Sequence, residues 1–243
     1  RRHRASAGSR GVIVSVTPIS LTISPGDSSF ALLVEVQMQF PFPADVLLAL
    51  AAFSFVSSVT PGPNNFMLLA SGVNFGFTRS IPHMIGIASG FCFMLVCVGF
   101  GLGEIFERAP LLYQGLKFVG AAYLLYLAWK IANSGPVASR EGSGTEEQGT
   151  PMTFLQAAAF QWVNPKAWFM AVTSMSVYTV HTNFVASVLG VAAVFTAINL
   201  PSISMWCGMG TGLRSVLSDP VKLRYFNWIM GGLLVASLWP MLK

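Results

Sequence analysis

The sequence predicts an all-α, polytopic membrane protein of about six transmembrane helices, arranged as two inverted three-helix repeats. Composition is the first observation. Of 243 residues, 53% are apolar or aromatic and 9% are charged, against about 25% charged in a soluble domain, so the ionic side chains are too few to clothe a water-facing shell. The second is the recurrence of apolar runs long enough to span a bilayer. The third is one long polar connection that divides those runs three and three.

Residues 1–37 hold Arg1, Arg2, Arg4 and Arg10 and then a Ser/Thr/Val/Pro mixture broken by Pro18 and Pro25. No compact apolar segment follows the charges, as a secretory signal would require. The expectation is a disordered or non-native extension, with Met38 as the physiological start and a single membrane domain over 38–243.

Apolar runs then cover roughly 44–70, 81–103, 111–133, 154–177, 183–206 and 225–242, close to the ~20 residues that cross a hydrocarbon core. Spans of this kind must be helical, because lipid offers backbone groups no outside partner. The connection at 134–153 is rich in Gly, Ser and charge and reads as a flexible linker between halves at 44–133 and 154–242. The first run of each half carries a strong interruption: Thr60-Pro61-Gly62-Pro63-Asn64-Asn65 in one, Asn164-Pro165-Lys166 in the other. Repeats of three spans insert in opposite orientations, the plan of transporters whose broken helices meet near the midplane. Lys and Arg lie mainly in the first, third and fifth loops (Arg79, Lys130, Arg140, Arg214, Lys222, Arg224), which assigns those loops to the cytoplasm and both termini to the outside.

Several residues carry potential chemistry. Pro61 and Pro63 remove two backbone donors within one turn, so the helix must open there, and opened backbone at membrane depth belongs against protein or a wet cavity. Asn64 and Asn65 offer amides beside it. Lys166 is the one ionisable residue deep in a run, where a charge costs several kcal/mol unless paired or wet. Asn164 and Pro165 suit the cap and first turn of a half-helix, whose positive end repels a cation; an anion such as a substrate carboxylate would satisfy both. Gln161 and Trp162 offer an amide and an aromatic wall for an ammonium group. His83, beside Pro82 at a helix mouth, is the histidine placed to titrate, and Asn199 with Pro201 interrupts the fifth run as a gate or hinge. Gly86 and Gly90, and Gly99 and Gly103, have the spacing that lets helices approach closely.

Other classes lack their groups. HExxH, GxSxG and Walker A motifs are absent, as is an acidic pair within a run. Cys92, Cys97 and Cys207 form no CxxC and no disulfide framework, which weakens the alternative of a membrane thiol-redox or other enzyme. The net charge of +5 is not gathered into a basic stripe for nucleic acid. No catalytic or metal-binding residue and no cofactor is expected; self-association is left open.

The blocks TPGPNNFMLLASGVNFGFTRSIPHMIGIASGF (Thr60 to Phe91), LKFVGAAYLLYLAWKIA (Leu116 to Ala132) and QWVNPKAWF (Gln161 to Phe169) resemble the LysE/RhtB family of bacterial amino-acid exporters over about residues 44–242. The likeness is greatest to members that export cysteine and O-acetylserine. It implies an inner-membrane, multi-pass antiporter of about six hydrophobic segments that expels an amino acid or derivative, driven by the proton gradient, with the substrate and the lipid bilayer as partners. Combined with the residue reading, it assigns substrate binding to Thr60, Pro61, Gly62, Pro63, Asn64, Asn65, Gln161, Asn164, Pro165 and Lys166. Gating or proton-linked roles fall to His83, Asn199 and Pro201, with alternating access between the two halves.

Overall fold

The computed structural model describes residues 12–16, 19–23, 42–102, 109–134 and 150–239. Within the stretch read as lacking regular structure, Val12–Val16 (β1) and Ile19–Ile23 (β2) pair as an antiparallel hairpin with Val12 opposite Ile23. Both strands are dominated by the β-branched residues that favour extended backbone.

Among the described residues the regular structure of the membrane part is all helical, as expected. Its helices are α1 (Ala44–Val59), α2 (Pro63–Phe75), α3 (Ile81–Cys97), α4 (Pro110–Ala132), α5 (Phe154–Phe160), α6 (Pro165–Tyr178), α7 (Phe184–Leu213) and α8 (Pro220–Ala236). Each of the six apolar runs thus becomes a helix or a helix pair. Three stretches are long and apolar enough to cross a bilayer alone: Thr78–Leu102, Gln114–Ala132 and Phe184–Leu213. The pair α1 and α2, bent by 55°, makes a fourth. The run at 154–177 is cut by its own break, and α8 has 17 residues and carries Lys222 and Arg224, so neither has the uninterrupted apolar length.

Local signals set the ends. Pro63, Pro165 and Pro220 each occupy the first helical position, where the missing N–H costs nothing. Thr153 and Gln156 form a capping box at α5. The Asp219 carboxylate accepts from the Val221 and Lys222 N–H groups at 2.7 and 3.3 Å. Gly76 stops α2 with φ +82°, a conformation that L side chains rarely adopt.

Packing runs between the halves rather than within them. The most extensive pairings are α2 with α7, α3 with α5, α4 with α8, α1 with α7, and α3 with α7. Exchanging the halves maps α3–α7 and α4–α8 onto themselves and α1–α7 onto α5–α3, the pattern of two related halves. The α2–α7 crossing has only a slight counterpart in α6–α3. Glycines permit the closest approaches: a Cβ on Gly72 would strike the Cys207 carbonyl, and one on Gly210 the Leu69 carbonyl. The small-residue spacing at Gly86 and Gly90 serves the same end, because α5 lies directly on them through Phe154 and Ala158. Outward, Leu48, Phe93, Phe118, Trp129, Leu155 and Phe169 are more than half exposed, an apolar exterior matched to lipid.

Candidate functional site

The two helix breaks face each other. Residues 60–62 separate α1 from α2 in extended backbone, and Gly62, at φ 178° and ψ 177°, presents no cap to α2. The first N–H groups of α2 are therefore left without a side-chain acceptor, while the carbonyls of Thr60 and Pro61, just past the C-terminus of α1, take no bond from a following helical turn. A helix N-terminus carries partial positive charge and a C-terminus partial negative charge, so a single break displays both poles within a few ångströms.

Across from it, Asn164 caps α6 by accepting from the Lys166 N–H at 3.1 Å. The Lys166 ammonium donates back over the gap to the Thr60 carbonyl at 2.5 Å and to Thr60 Oγ1 at 2.9 Å, and lies 3.5 Å from the Pro61 carbonyl. The conflict between a cation and its own helix N-terminus is thus resolved by the C-terminus of another helix. Gly62 makes room, since a Cβ there would lie 2.8 Å from Lys166 Cδ and 3.2 Å from Nζ.

Amides fasten the rest of the seam. Asn64 and Gln161 exchange reciprocal hydrogen bonds of 2.9 and 3.2 Å, and Gln161 also donates to the Ala157 carbonyl at 2.9 Å. Asn65, buried, donates to the Ser58 and Thr60 carbonyls, both at 2.8 Å. Asn199 donates to Ser58 Oγ at 3.2 Å, and its Oδ1, also buried, has no partner. Trp206 on α7 donates to the Val59 carbonyl at 3.1 Å. Between these groups lies a polar gap of about 20 Å³ lined by Ser58, Gly62, Asn64, Asn164, Lys166 and Asn199, among others. That volume holds one water; ligand pockets are typically ~300 Å³ or larger.

The expected substrate-binding set, Thr60 to Asn65 with Gln161, Asn164, Pro165 and Lys166, is brought into one place. Asn199 joins it through Ser58. Three expectations need correction. Pro201 does not break its helix: α7 runs through it for 30 residues, because a membrane helix tolerates an internal proline when nearby groups re-satisfy the backbone. His83 is not at an open mouth but 1% exposed, because the turn Thr78–Ser80 and a 2.7 Å Ser71–Ser80 hydroxyl contact carry the fold past it. Trp162 packs edge-on against Phe93 and Trp168, outside the gap. Sequence reasoning also missed Ser58 and a second crossing, in which Asn74 and Asn227 exchange hydrogen bonds of 2.8 and 3.1 Å and Asn227 donates to the Ser134 carbonyl at 2.8 Å. Two asparagines in apolar runs were the available signal. Among the described residues no three potential metal ligands gather, and Cys92, Cys97 and Cys207 are free thiols.

The LysE type translocator family is matched over residues 55–236. A cysteine/O-acetylserine efflux protein of Klebsiella pneumoniae is 30% identical over 194 residues, covering 78% of this chain and 93% of that protein. Proteins of the same description from Escherichia coli K12 and Shigella flexneri are each 33% identical over 172 residues, covering 68% of this chain and 82% of theirs. No solved structure matches. With its apolar helices and a match spanning both breaks, the chain belongs to the LysE type translocator family, as a multi-pass protein of the bacterial inner membrane.

Proposed function

We propose that this protein exports a small amino acid or close derivative, of the cysteine or O-acetylserine kind, in exchange for protons and without enzymatic chemistry. The observation that carries the reading is the Lys166 ammonium seated on the Thr60 and Pro61 carbonyls at the break. A zwitterion has the complementary charges to insert into that pair. Its carboxylate takes the Lys166 ammonium and the uncapped N–H groups of α2. Its ammonium group takes the Thr60 carbonyl and the unpartnered Asn199 Oδ1. The gap must widen to admit it, so binding and opening of the seam are one event. Because the halves interlock, the seam between the breaks, rather than each half as a block, is the moving unit.

The test is accumulation of radiolabelled amino acids, cysteine and O-acetylserine included, by inverted membrane vesicles with and without an imposed pH gradient. Gradient-dependent accumulation of at least one of them is expected. Absence of accumulation for the whole panel refutes the reading.

A further inference from the structure

About ten residues beyond the break, or ~15 Å along α2 at ~1.5 Å per residue, lies a second cavity. It has a volume of about 40 Å³, and Ser71, Asn74, His83, Lys130 and Ser134 set polar groups into walls that are otherwise mainly apolar. His83 is buried in that wall and neither ring nitrogen has a hydrogen-bond partner. A neutral imidazole offers one donor and one acceptor, and leaving such groups unmet inside a protein costs roughly 1–3 kcal/mol each. The cavity has room for water, which needs only about 10–15 Å³ of such space. Water, which both gives and takes hydrogen bonds, is the ligand that suits a ring nitrogen facing the cavity, whether that nitrogen donates or accepts.

The charged and titratable groups around the cavity are few. Lys130 of α4 lines it, and Arg79 stacks 5.9 Å over the ring of Phe75, another wall residue. On α7 the buried Cys207 lies against Gly72. The segment Thr150–Met152 adds no titratable wall residue, and α8 approaches the cavity through the Asn227 amide, which bonds Asn74 and the Ser134 carbonyl. Among the described residues no carboxylate lines it. Among the described residues the carboxylates of the membrane helices are Asp45, in the first turn of α1, and Asp219, capping α8. Among the described interior residues, His83 is therefore the side chain whose ring can both take up and give up a proton at a wall of the cavity.

We infer that His83 carries the proton exchanged for the amino acid, a step that rests on the exchange reading above. On the proton-rich side the ring nitrogen bearing the lone pair takes a proton from hydronium, leaving water and an imidazolium. In the present arrangement, on the face that the Lys/Arg balance assigns to the cytoplasm, the imidazolium returns that proton to a cavity water, which leaves as hydronium. Lys130, with no carboxylate beside it among the described residues, opposes a second positive charge in the cavity and favours this release.

The test uses the full chain in liposomes, with His83→Gln as the variant, because glutamine keeps a donor and an acceptor but carries no proton. Expected is loss of gradient-driven accumulation down to the level without a gradient, while amino-acid counterflow at equal pH persists. Accumulation by His83→Gln equal to the unmodified chain overturns the proposal alone. If the unmodified chain transports but ignores the gradient, proton exchange fails and the proposal with it; if it transports nothing, the exporter reading itself fails. Should the variant lose counterflow as well, isotope-labelled histidine in a His3→Gln/His181→Gln chain decides by NMR. Protonation of the His83 ring between about pH 5 and 8 that responds to substrate is expected, and a ring that stays neutral with and without substrate overturns the proposal.

Discussion

Replacing Lys166 by Met separates its two duties, holding the closed seam and holding the substrate. The substitution keeps an unbranched apolar stem of similar reach and removes the ammonium with its bonds to the Thr60 carbonyl and hydroxyl. Hydrogen bonds to charged groups contribute about 1.5–3 kcal/mol each, and the partial exposure of this pair places it at the low end. The Thr60 carbonyl also keeps its 2.8 Å bond from Asn65, so it is not orphaned. The fold should thus lose only about 1–2 kcal/mol, a drop of a few degrees in Tm at ~2–4 °C per kcal/mol. Binding suffers differently. Loss of the carboxylate partner should weaken a zwitterionic amino acid roughly ten- to hundredfold, following ~1.4 kcal/mol per decade. The corresponding amide, which lacks the carboxylate, should change within about threefold, or under ~0.7 kcal/mol on the same scale. Calorimetry on purified protein with both ligands, in the unmodified chain and Lys166→Met, reads this directly. An equal loss for both refutes the substrate role and leaves the lysine as a latch. Lys166→Arg should restore binding only in part, since a planar fork does not fit a point-charge site.

Gly62→Leu should insert and express normally but export at least about tenfold more slowly, because its side chain displaces Lys166 from Thr60; a normal rate in vesicles contradicts this. For the Asn64–Gln161 pair, each single change to Leu should destabilise by about 1–3 kcal/mol through an orphaned amide, and the double change by less than their sum; additive values in a denaturation cycle would show that the bonds do not couple. Gly72→Val should cost more than about 3 kcal/mol, because its Cβ meets the Cys207 carbonyl rather than a movable side chain; unchanged yield and Tm would contradict the close crossing.

The breaks were legible because proline removes donors whatever the surroundings, and Pro61, Pro63 and Pro165 mark the ends of α1, α2 and α6 within a residue or two. That they face each other was an inference from topology, and the hydrogen bonds from Asn64 to Gln161 and from Lys166 to Thr60 confirm the contact. The nature of the lysine's partner was not legible. The absence of a buried carboxylate pointed to an external anion, yet helix-end carbonyls serve as well, and every residue carries a carbonyl, so composition gives no sign of them. His83 was misplaced for a related reason. Pro82 signals a helix start, but the turn at Thr78–Ser80 and the folding of α2 against α3 carry that start inside. Asn74 and Asn227 each look like isolated polar residues, and only a contact across 153 positions gives them a purpose.

The interlocking of the halves bears on how the chain is made. Translation delivers α1 to α4 first, yet the partners that fill their faces, α5, α7 and α8, all come later. Until then Asn74 lacks Asn227, Ser58 lacks Asn199, and the glycine faces of α2 and α3 have lipid where a helix backbone should lie. The early helices must wait in the bilayer, inserted but unassembled, and the protein closes as one body only when α7 has packed on α1, α2 and α3 and α8 on α4. A chain halted after α4 is therefore not half a transporter but an exposed intermediate, fit for membrane proteolysis and not for transport.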